Sequence, residues 1–303
     1  MKITSIQATD AKKMERYTIK DFRKQFPDDD ACLEWLKQYL FPQGILCKTC
    51  QRVTKHHKVV SRKSYSCNRC GHHVHPTAGT IYHKSTTPLT DWFYAVYLMA
   101  STRCGISAKQ LERELGVTYK TAWRMFKMIR TMLDESDNKI GGIAEQVEID
   151  ETYIGGQSKM NKKFKNKTTV VGALERKCSV IAKVVPNRKS VTLMPFIEDA
   201  VQPYSTIYTD EHGGYNPVPI SANRYEHQCV NHSAKVWVIG DAHTNSIEGF
   251  WSLLKGGIRG VYKHVKPSNL QSYVNEYAFR YNRRHDQTPM FLSFLGQVKK
   301  SSC

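Results

Sequence analysis

Two pairs of cysteines constrain the N-terminal part of this chain more tightly than any other feature. Cys47 and Cys50 form one pair, Cys67 and Cys70 form the other, and sixteen residues separate the pairs. A two-residue gap lets both thiolates of a pair reach one ion, and two such pairs complete a closed tetrahedral zinc site. The β-like residues 53–65 then form the hairpin between the pairs. We therefore predict a zinc ribbon that holds a structural Zn²⁺.

Histidines and basic residues near the ribbon leave alternatives open. Five histidines could replace a cysteine as a zinc ligand, although we expect them at the surface or against phosphates: His56, His57, His72, His73 and His75. The many lysines and arginines of the ribbon favour contact with DNA, although zinc ribbons also serve as protein-docking modules.

Two strand-like stretches each present an acidic side chain. In residues 146–156, Val147 to Asp150 alternate between apolar and polar, which is the period of a half-buried strand, and Gly155 and Gly156 predict the turn that follows. Residues 205–211 form a second such run, which includes Asp210. Because hard divalent cations prefer carboxylate oxygens, Asp150 and Asp210 are candidate ligands for Mg²⁺ or Mn²⁺. The alternative is that both are ordinary solvent-facing acids.

A third acid lies on a predicted amphipathic helix that begins near Asn245. Glu248, Lys255 and Arg259 recur along its polar side. Glu248 could complete the metal site, while Lys255 and Arg259 hold a phosphate backbone. The spacing of Asn245 and Glu248 also fits a capping box. Asn245 is the alternative third ligand.

The charge of the chain indicates a polyanionic partner. It has 45 Lys and Arg against 27 Asp and Glu, a net charge of +18. Nucleic acid and an anionic membrane surface both fit such an excess. The longest apolar run, residues 92–100, is far short of the roughly 18 residues that a spanning helix needs, and the first residues lack the apolar core of a signal peptide. We therefore expect a cytoplasmic protein, not bound to membranes, with reduced cysteines.

Residues 107–133 match the pattern of a helix-turn-helix. Ser107 and Thr118 are predicted helix caps, and Gly116 is the turn between the two helices. The second helix would direct four side chains outward, toward phosphates or base edges: Lys120, Thr121, Arg124 and Lys127. The alternative is an ordinary helical hairpin.

The remaining pattern predicts a mixed sheet with helices packed on it. Strands are expected at residues 168–174, 180–185 and 225–230, and helices at residues 191–201 and from Ser268, where a Ser-x-x-Gln capping box begins. Residues 158–167 are predicted to be a basic loop, either solvated or in contact with DNA. The expected domains are an N-terminal segment (1–27), the zinc-ribbon region (28–85), the helix-turn-helix (86–138) and the catalytic domain (143–297).

From about Phe26 to Asn282, the chain resembles bacterial insertion-sequence DDE transposases. These join an N-terminal zinc ribbon and a helix-turn-helix to a catalytic domain with a ribonuclease H-like fold. The motifs that support the resemblance are the four cysteines, Val147-Glu148-Ile149-Asp150-Glu151-Thr152-Tyr153-Ile154-Gly155-Gly156, Thr209-Asp210-Glu211-His212-Gly213-Gly214-Tyr215, Asn245-Ser246-Ile247-Glu248-Gly249-Phe250-Trp251 and Arg280-Tyr281-Asn282-Arg283.

The resemblance implies an α/β fold, a ribonuclease H-like mixed sheet with flanking helices. It implies that Asp150, Asp210 and Glu248 are the catalytic acids and hold two Mg²⁺ (or Mn²⁺) ions, although the family varies between Glu and Asn at the third position. It also implies end cleavage and strand transfer on double-stranded DNA, with the terminal inverted repeats and the target as substrates. Because two ends must meet, a homodimer or higher homo-oligomer is expected, in the nucleoid of a bacterial-type cytoplasm.

Two other functions share these motifs. One is a zinc-ribbon, helix-turn-helix regulator whose catalytic fold has lost its activity, although the presence of all three acids argues against loss. The other is a different ribonuclease H-like nuclease, such as a junction resolvase.

Overall fold

The computed structural model describes residues 16–135, 137–155, 167–230 and 243–298. The strands are β1 (Leu46–Cys47), β2 (Arg52–Val53), β3 (His56–Lys58), β4 (Tyr65–Cys67), β5 (His73–Val74), β6 (Gln146–Gly155), β7 (Lys167–Glu175), β8 (Val180–Val185), β9 (Thr206–Asp210) and β10 (Glu226–Val230). The α-helices are α1 (Ile19–Gln25), α2 (Asp29–Leu40), α3 (Leu89–Ser101), α4 (Ala108–Leu115), α5 (Tyr119–Thr131), α6 (Ser190–Ala200), α7 (Asn245–Gly257), α8 (Pro267–Asn282) and α9 (Met290–Leu295). A π-helical turn (Ile258–Tyr262) follows α7 directly.

The described residues form two compact units, which divide between Tyr97 and Leu98 and again between Arg283 and Arg284. The first unit contains the ribbon and the C-terminal helix α9, and the second contains α4, α5 and the large sheet. The expected domain boundaries stay a prediction.

In the first unit, the ribbon strands pack against α2. Asp28 caps α2, with its side chain accepting a hydrogen bond from the amide of Ala31. Lys58 of β3 forms an ion pair with Asp30 at 2.5 Å, and the Tyr65 hydroxyl of β4 donates to Glu34 at 2.7 Å. Some of the ribbon's polar side chains therefore hold the ribbon to α2.

In the second unit, five strands form one mixed sheet with the order β10-β9-β6-β7-β8. β7 is antiparallel to both β6 and β8, whereas β9 is parallel to both β6 and β10. Helix α6 packs on one face, and α7 with α8 packs on the other. This is the predicted mixed sheet with flanking helices, and the strands expected at residues 168–174, 180–185 and 225–230 are confirmed.

Strand β6 is buried on both faces, whereas its alternation predicts a half-buried strand. Val147, Glu148 and Ile149 are all 0% exposed. The prediction was wrong because β6 lies at the centre of the sheet and helices cover both of its sides. Gly156 and residues 158–166, where the turn and most of the basic loop were predicted, lie outside the described residues.

The predicted cap of the last long helix is also wrong. Helix α8 begins at Pro267, and its N-cap Lys266 makes no side-chain cap hydrogen bond. The side chain of Gln271 instead accepts from the amide of Val184 at 2.7 Å and donates to the carbonyl of Ala182 at 3.0 Å. Tertiary contact with β8 therefore replaces the local capping box.

Helices α4 and α5 form the predicted pair, with Ser107 and Thr118 as caps and Gly116 in the left-handed conformation between them. Arg130, near the end of α5, is tied to α8. Its Nε donates to Glu276 at 2.7 Å, and Arg280 donates to the same carboxylate at 2.8 Å. Glu276 is fully buried, so this ion network lies inside the second unit.

No helix in the described part of the chain combines the length and the apolar character needed to cross a membrane.

Candidate active site

The sheet places the two predicted aspartates side by side. In the parallel pairing of β6 with β9, Val147 lies opposite Ile207 and Glu148 opposite Tyr208. Asp150 and Asp210 follow these residues at the same offset, so they occupy equivalent positions in neighbouring strands. The negative charge of Asp210 is among the causes that raise the pKa of Asp150. The two carboxylates are therefore neighbours at one edge of the paired region.

Asp150 lies in surroundings that disfavour its charged form. Burial raises its pKa to about 7, with further contributions from the charges of Glu151 and Asp210, while a hydrogen bond from Trp251 acts in the opposite direction. A cation beside this carboxylate would favour the ionised form. The chemistry of this acidic pair therefore fits a divalent metal ion.

Trp251 of α7 orients Asp150. The indole Nε1 donates to Asp150 Oδ2 at 2.9 Å. The ring can lie this close to the sheet because Gly172, opposite Asp150 in β7, has no side chain. A Cβ added to Gly172 would lie 2.8 Å from the ring of Trp251. This contact was not predicted, since nothing in the sequence relates Gly172 to Trp251.

Glu248 lies on the exposed side of α7 near its N-terminus. Its charge and that of Asp150 both act on Lys255, two turns further along the helix. Among the described residues, the four ribbon cysteines are the only group of three or more possible metal ligands whose ligand atoms all lie within 4.8 Å of one another. The structure therefore brings Asp150 and Asp210 together, but Glu248 does not close a compact three-acid cluster with them. A two-ion site spreads its ligands more widely than a single ion does.

Asn245, the alternative third ligand, is the first residue of α7 and is exposed. It lies three residues before Glu248, so the two side chains share one side of the helix. The predicted capping box between them is wrong, because the N-cap is Thr244 and it makes no side-chain cap hydrogen bond.

Glu148 of β6 replaces that missing cap. Its Oε2 accepts hydrogen bonds from the backbone amides of Ser246 at 2.9 Å and Ile247 at 3.0 Å, and its Oε1 accepts from the Ser246 hydroxyl at 3.0 Å. A carboxylate at this position satisfies free amides of the first turn and complements the helix dipole. Glu148 thus fixes the start of the helix that carries Glu248.

Arg176 in turn holds Glu148. Its Nε donates to Glu148 Oε1 at 2.8 Å, and its other nitrogens donate to Gln146 Oε1 and to the carbonyl of His243, both at 2.9 Å. The guanidinium also lies 4.4 Å from the ring centre of Tyr208. The buried carboxylate is therefore fully partnered, as a buried charge requires. Neither Glu148 nor Arg176 was predicted to have this role.

The neighbouring acids have other partners. Glu151 accepts from the Tyr215 hydroxyl at 2.6 Å and forms an ion pair with Arg188 at 3.2 Å. Asp210 Oδ1 accepts from the backbone amide of His212 at 3.0 Å, which fixes the turn after β9.

The outer face of α5 is basic and aromatic. Of the four residues predicted to face outward, Lys120, Arg124 and Lys127 are exposed. Thr121 is half-buried, and its hydroxyl lies 3.1 Å from that of the cap Thr118, so its contact with DNA stays a prediction.

Two aromatic side chains share that face and were not predicted. Tyr119 is 49% exposed and Trp123 is 38% exposed. Lys109 lies 5.6 Å from the ring centre of Tyr119, and Lys127 lies 5.7 Å from that of Trp123. Aromatic rings between cations are suited to nucleic acid, because they contact sugars and bases while the cations contact phosphates.

The four ribbon cysteines have the geometry of a zinc site. Cys47 Sγ lies 3.5 Å from Cys70 Sγ, and Cys50 Sγ lies 4.0 Å from Cys67 Sγ. Tetrahedral bonds of about 2.3 Å place sulfur ligands about 3.8 Å apart. The Thr54 hydroxyl, 3.1 Å from Cys67 Sγ, lowers the pKa of that thiol to about 6. None of the neighbouring histidines joins the cluster among the described residues.

Known protein families match two parts of the chain. A transposase zinc-ribbon domain matches residues 27–73, and an ISXO2-like transposase domain matches residues 142–282. The second range spans all five strands of the large sheet together with α6, α7 and α8. Helices α4 and α5 lie outside both ranges.

Similar proteins include an uncharacterized protein in transposable element ISH50 of Halobacterium salinarum. It is 24% identical over 277 residues, which cover 85% of this chain and 92% of the relative. An uncharacterized transposase-like protein of Haemophilus influenzae is 30% identical over 126 residues, 42% of this chain and 98% of the relative. With its zinc ribbon and its ribonuclease H-like sheet, the chain belongs to the family of insertion-sequence transposases with an ISXO2-like transposase domain.

Proposed function

We propose that this protein is the DNA transposase of an insertion sequence, a divalent-metal-dependent polynucleotidyl transferase. It binds the terminal inverted repeats of the element, cleaves the DNA at the ends and joins those ends to target DNA. The observation that supports this function best is that Asp150 and Asp210 occupy equivalent positions of two parallel strands, beside the helix that carries Glu248.

Asp150, Asp210 and Glu248 would hold two Mg²⁺ (or Mn²⁺) ions, with Asn245 as the alternative to Glu248. Bound there, the ions supply Lewis-acid stabilisation of the attacking and leaving oxygens of a phosphodiester. The donor set fits, because all three side chains of the main set offer carboxylate oxygens. The Trp251 hydrogen bond keeps Asp150 in one orientation, and the Glu148 contact keeps α7 in position.

The reaction has two steps at phosphorus. Water attacks the phosphodiester at the element end, the bond from phosphorus to the 3′-oxygen breaks, and that oxygen leaves as a 3′-hydroxyl after taking a proton. This hydroxyl then attacks a target phosphodiester, releases a target 3′-oxygen and joins the element to the target. Positioning and charge neutralisation supply most of the catalysis. Lys255 contributes to this charge neutralisation, because the charges of both Asp150 and Glu248 act on it.

DNA contact is assigned to two surfaces. Lys120, Arg124 and Lys127 on α5 are exposed and basic, with Thr121 beside them at the cap. These side chains are assigned to contact with the terminal repeats. Lys255 and Arg259 fit the strand that is cut and joined. Because two element ends must meet, the active form is a dimer or a higher oligomer.

Incubation of the purified protein with a duplex that carries the element end tests this function. With Mg²⁺, the wild type should cleave the end and transfer it, while Asp150→Asn should lose both steps and keep end binding. Asp199→Asn is the matched control, because Asp199 is exposed on α6. Cleavage by Asp150→Asn at the wild-type rate would overturn the assignment.

A duplex with a pre-cleaved end separates a transposase from a junction resolvase, since only the transposase transfers the free 3′-hydroxyl to a second DNA. Specific end binding without cleavage in either Mg²⁺ or Mn²⁺ would instead favour the regulator.

A further inference from the structure

A small basic cavity lies beyond the C-terminal end of α7. Its volume is about 90 Å³, and its lining includes Lys255, Arg259, Lys263 and His264 on one side and Tyr153 and Gly155 of β6 on the other. None of the described residues that line it is acidic. The cavity therefore carries an excess of positive charge.

The backbone around this cavity is irregular. The π-helical turn extends α7, and π-helical turns occur often at functional sites. Lys263 then adopts φ 61° and ψ −53°, and the amide of His264 donates to the carbonyl of Tyr262 at 2.6 Å. This is a γ-turn of the rare, strained form. The turn reverses the chain at the cavity, so that Lys263 and His264 line it together with Arg259 and Lys255.

The cations around this cavity repel one another. The pKa of Lys255 is lowered, first by burial and then by the charges of Arg259 and Lys167, while the charges of Asp150 and Glu248 act in the opposite direction. An anion in the cavity would offset this repulsion and would gain charge-assisted hydrogen bonds from several donors. A cluster of cations beside a strained turn therefore favours an anion as the occupant of the cavity.

We propose that this cavity binds one backbone phosphate of the DNA substrate, separate from the phosphate that is cut. The inference rests on the proposed function, because it takes Glu248 to mark the position of the cut. Lys255 and Arg259 are seven and eleven residues beyond Glu248, which is about 10 to 16 Å along a helix. With about 3.4 Å of rise per nucleotide, the bound phosphate lies about three to five nucleotides from the cut. The contact would fix the register of the strand on the enzyme.

A scan with neutral phosphates tests this site. Duplexes of the element end carry a single methylphosphonate, one position at a time, and binding to the full chain is measured by fluorescence anisotropy without added Mg²⁺. On natural DNA, Arg259→Gln and Lys263→Gln should weaken binding and reduce the slope of log affinity against log salt by about one. On the duplex that is neutral at the contacted phosphate, the wild type and both variants should bind equally.

Lys266→Gln is the matched control, because Lys266 is exposed and does not line the cavity. Two results would overturn the proposal. In the first, Arg259→Gln and Lys263→Gln lose the same affinity at every methylphosphonate position. In the second, their loss of affinity is no larger than that of Lys266→Gln. The two cavity variants act separately, so a folding defect in one leaves the other informative.

Free inorganic phosphate is the other anion that offers the same oxygen acceptors to the cavity. Titration of the wild type with inorganic phosphate should compete with natural DNA, and it should not affect the duplex that is neutral at the contacted position. Phosphate that binds at the cavity without displacing DNA would assign the cavity to a free anion and overturn the DNA assignment. The binding assay does not require cleavage, so loss of the proposed catalytic function leaves this test intact.

Discussion

Replacement of Glu148 by glutamine tests the contact that fixes the start of α7. The carboxylate accepts four hydrogen bonds, from the amides of Ser246 and Ile247, from the Ser246 hydroxyl and from Arg176. A glutamine keeps one acceptor oxygen, and its NH₂ group faces donors that it cannot satisfy. It also leaves the Arg176 guanidinium, whose side chain is 13% exposed, without its counter-charge.

The expected loss of stability is large but not complete. Breaking a buried ion pair by removal of one charge costs about 3–5 kcal/mol. Domains of this kind have unfolding free energies of about 5–15 kcal/mol. The variant should therefore still fold, but its free energy of unfolding should be markedly lower. Urea unfolding followed by circular dichroism measures the difference. Glu145→Gln, at an exposed position just before β6, is the matched control and should stay within about 0.5 kcal/mol of the wild type.

The same variant should change catalysis in a specific way. Because α7 carries Glu248, a loosened start of the helix should raise the Mg²⁺ concentration needed for half-maximal end cleavage, while α5 should still bind the end. A Glu148→Gln protein with the stability and Mg²⁺ dependence of Glu145→Gln would refute the reasoning. The double variant with Arg176→Met gives the coupling energy between the two side chains, which should be favourable and well above 0.5 kcal/mol.

Three further outcomes are expected. In Gly172→Ala, the added Cβ displaces the Trp251 ring, so end cleavage should slow and stability should fall by about 1–3 kcal/mol. An unchanged cleavage rate would show that Trp251 does not orient Asp150. Chelation of zinc should unfold the ribbon and abolish end binding in a mobility-shift assay, and binding that survives complete zinc removal would contradict a structural role. Burial alone would raise the pKa of Glu276, but the charges of Arg130 and Arg280 outweigh it and lower the pKa below its ordinary value of 4.5. The network therefore contributes stability above that value and loses it as pH falls through the depressed pKa of the folded state. The stability of Glu276→Gln, measured by urea unfolding, should therefore depend less steeply on pH below 4.5 than that of the wild type, and equal slopes in the two proteins would contradict the assignment.

Local patterns predicted the parts of the site whose geometry is local. The cysteine spacing indicated the ribbon because each pair reaches one ion within a few residues. Alternation and glycines located the strands that carry Asp150 and Asp210, and helical spacing located the side of α7 that carries Glu248 and Lys255. The parallel pairing of β6 with β9 then places the aspartates at one level.

The supporting contacts could not be predicted, because they join distant parts of the chain. Glu148 and Ser246 are 98 positions apart, and Asp150 and Trp251 are 101 positions apart. The predicted capping boxes at Asn245 and Ser268 failed for the same reason. At Asn245, a glutamate of the sheet accepts from the first amides of the helix instead. At Ser268, the glutamine of the expected box bonds the backbone of β8 instead.

The buried network of Arg130, Glu276 and Arg280 has a consequence for the position of the proposed DNA cut. Arg130 lies near the end of α5, and Glu276 and Arg280 lie on α8, which packs against the sheet that carries both aspartates. If α5 binds the terminal repeat, it cannot move independently of the sheet that carries the two aspartates. The number of base pairs between the recognised sequence and the severed bond is then a fixed dimension of the enzyme, so a repeat lengthened by a few base pairs should be bound but cut at a displaced position.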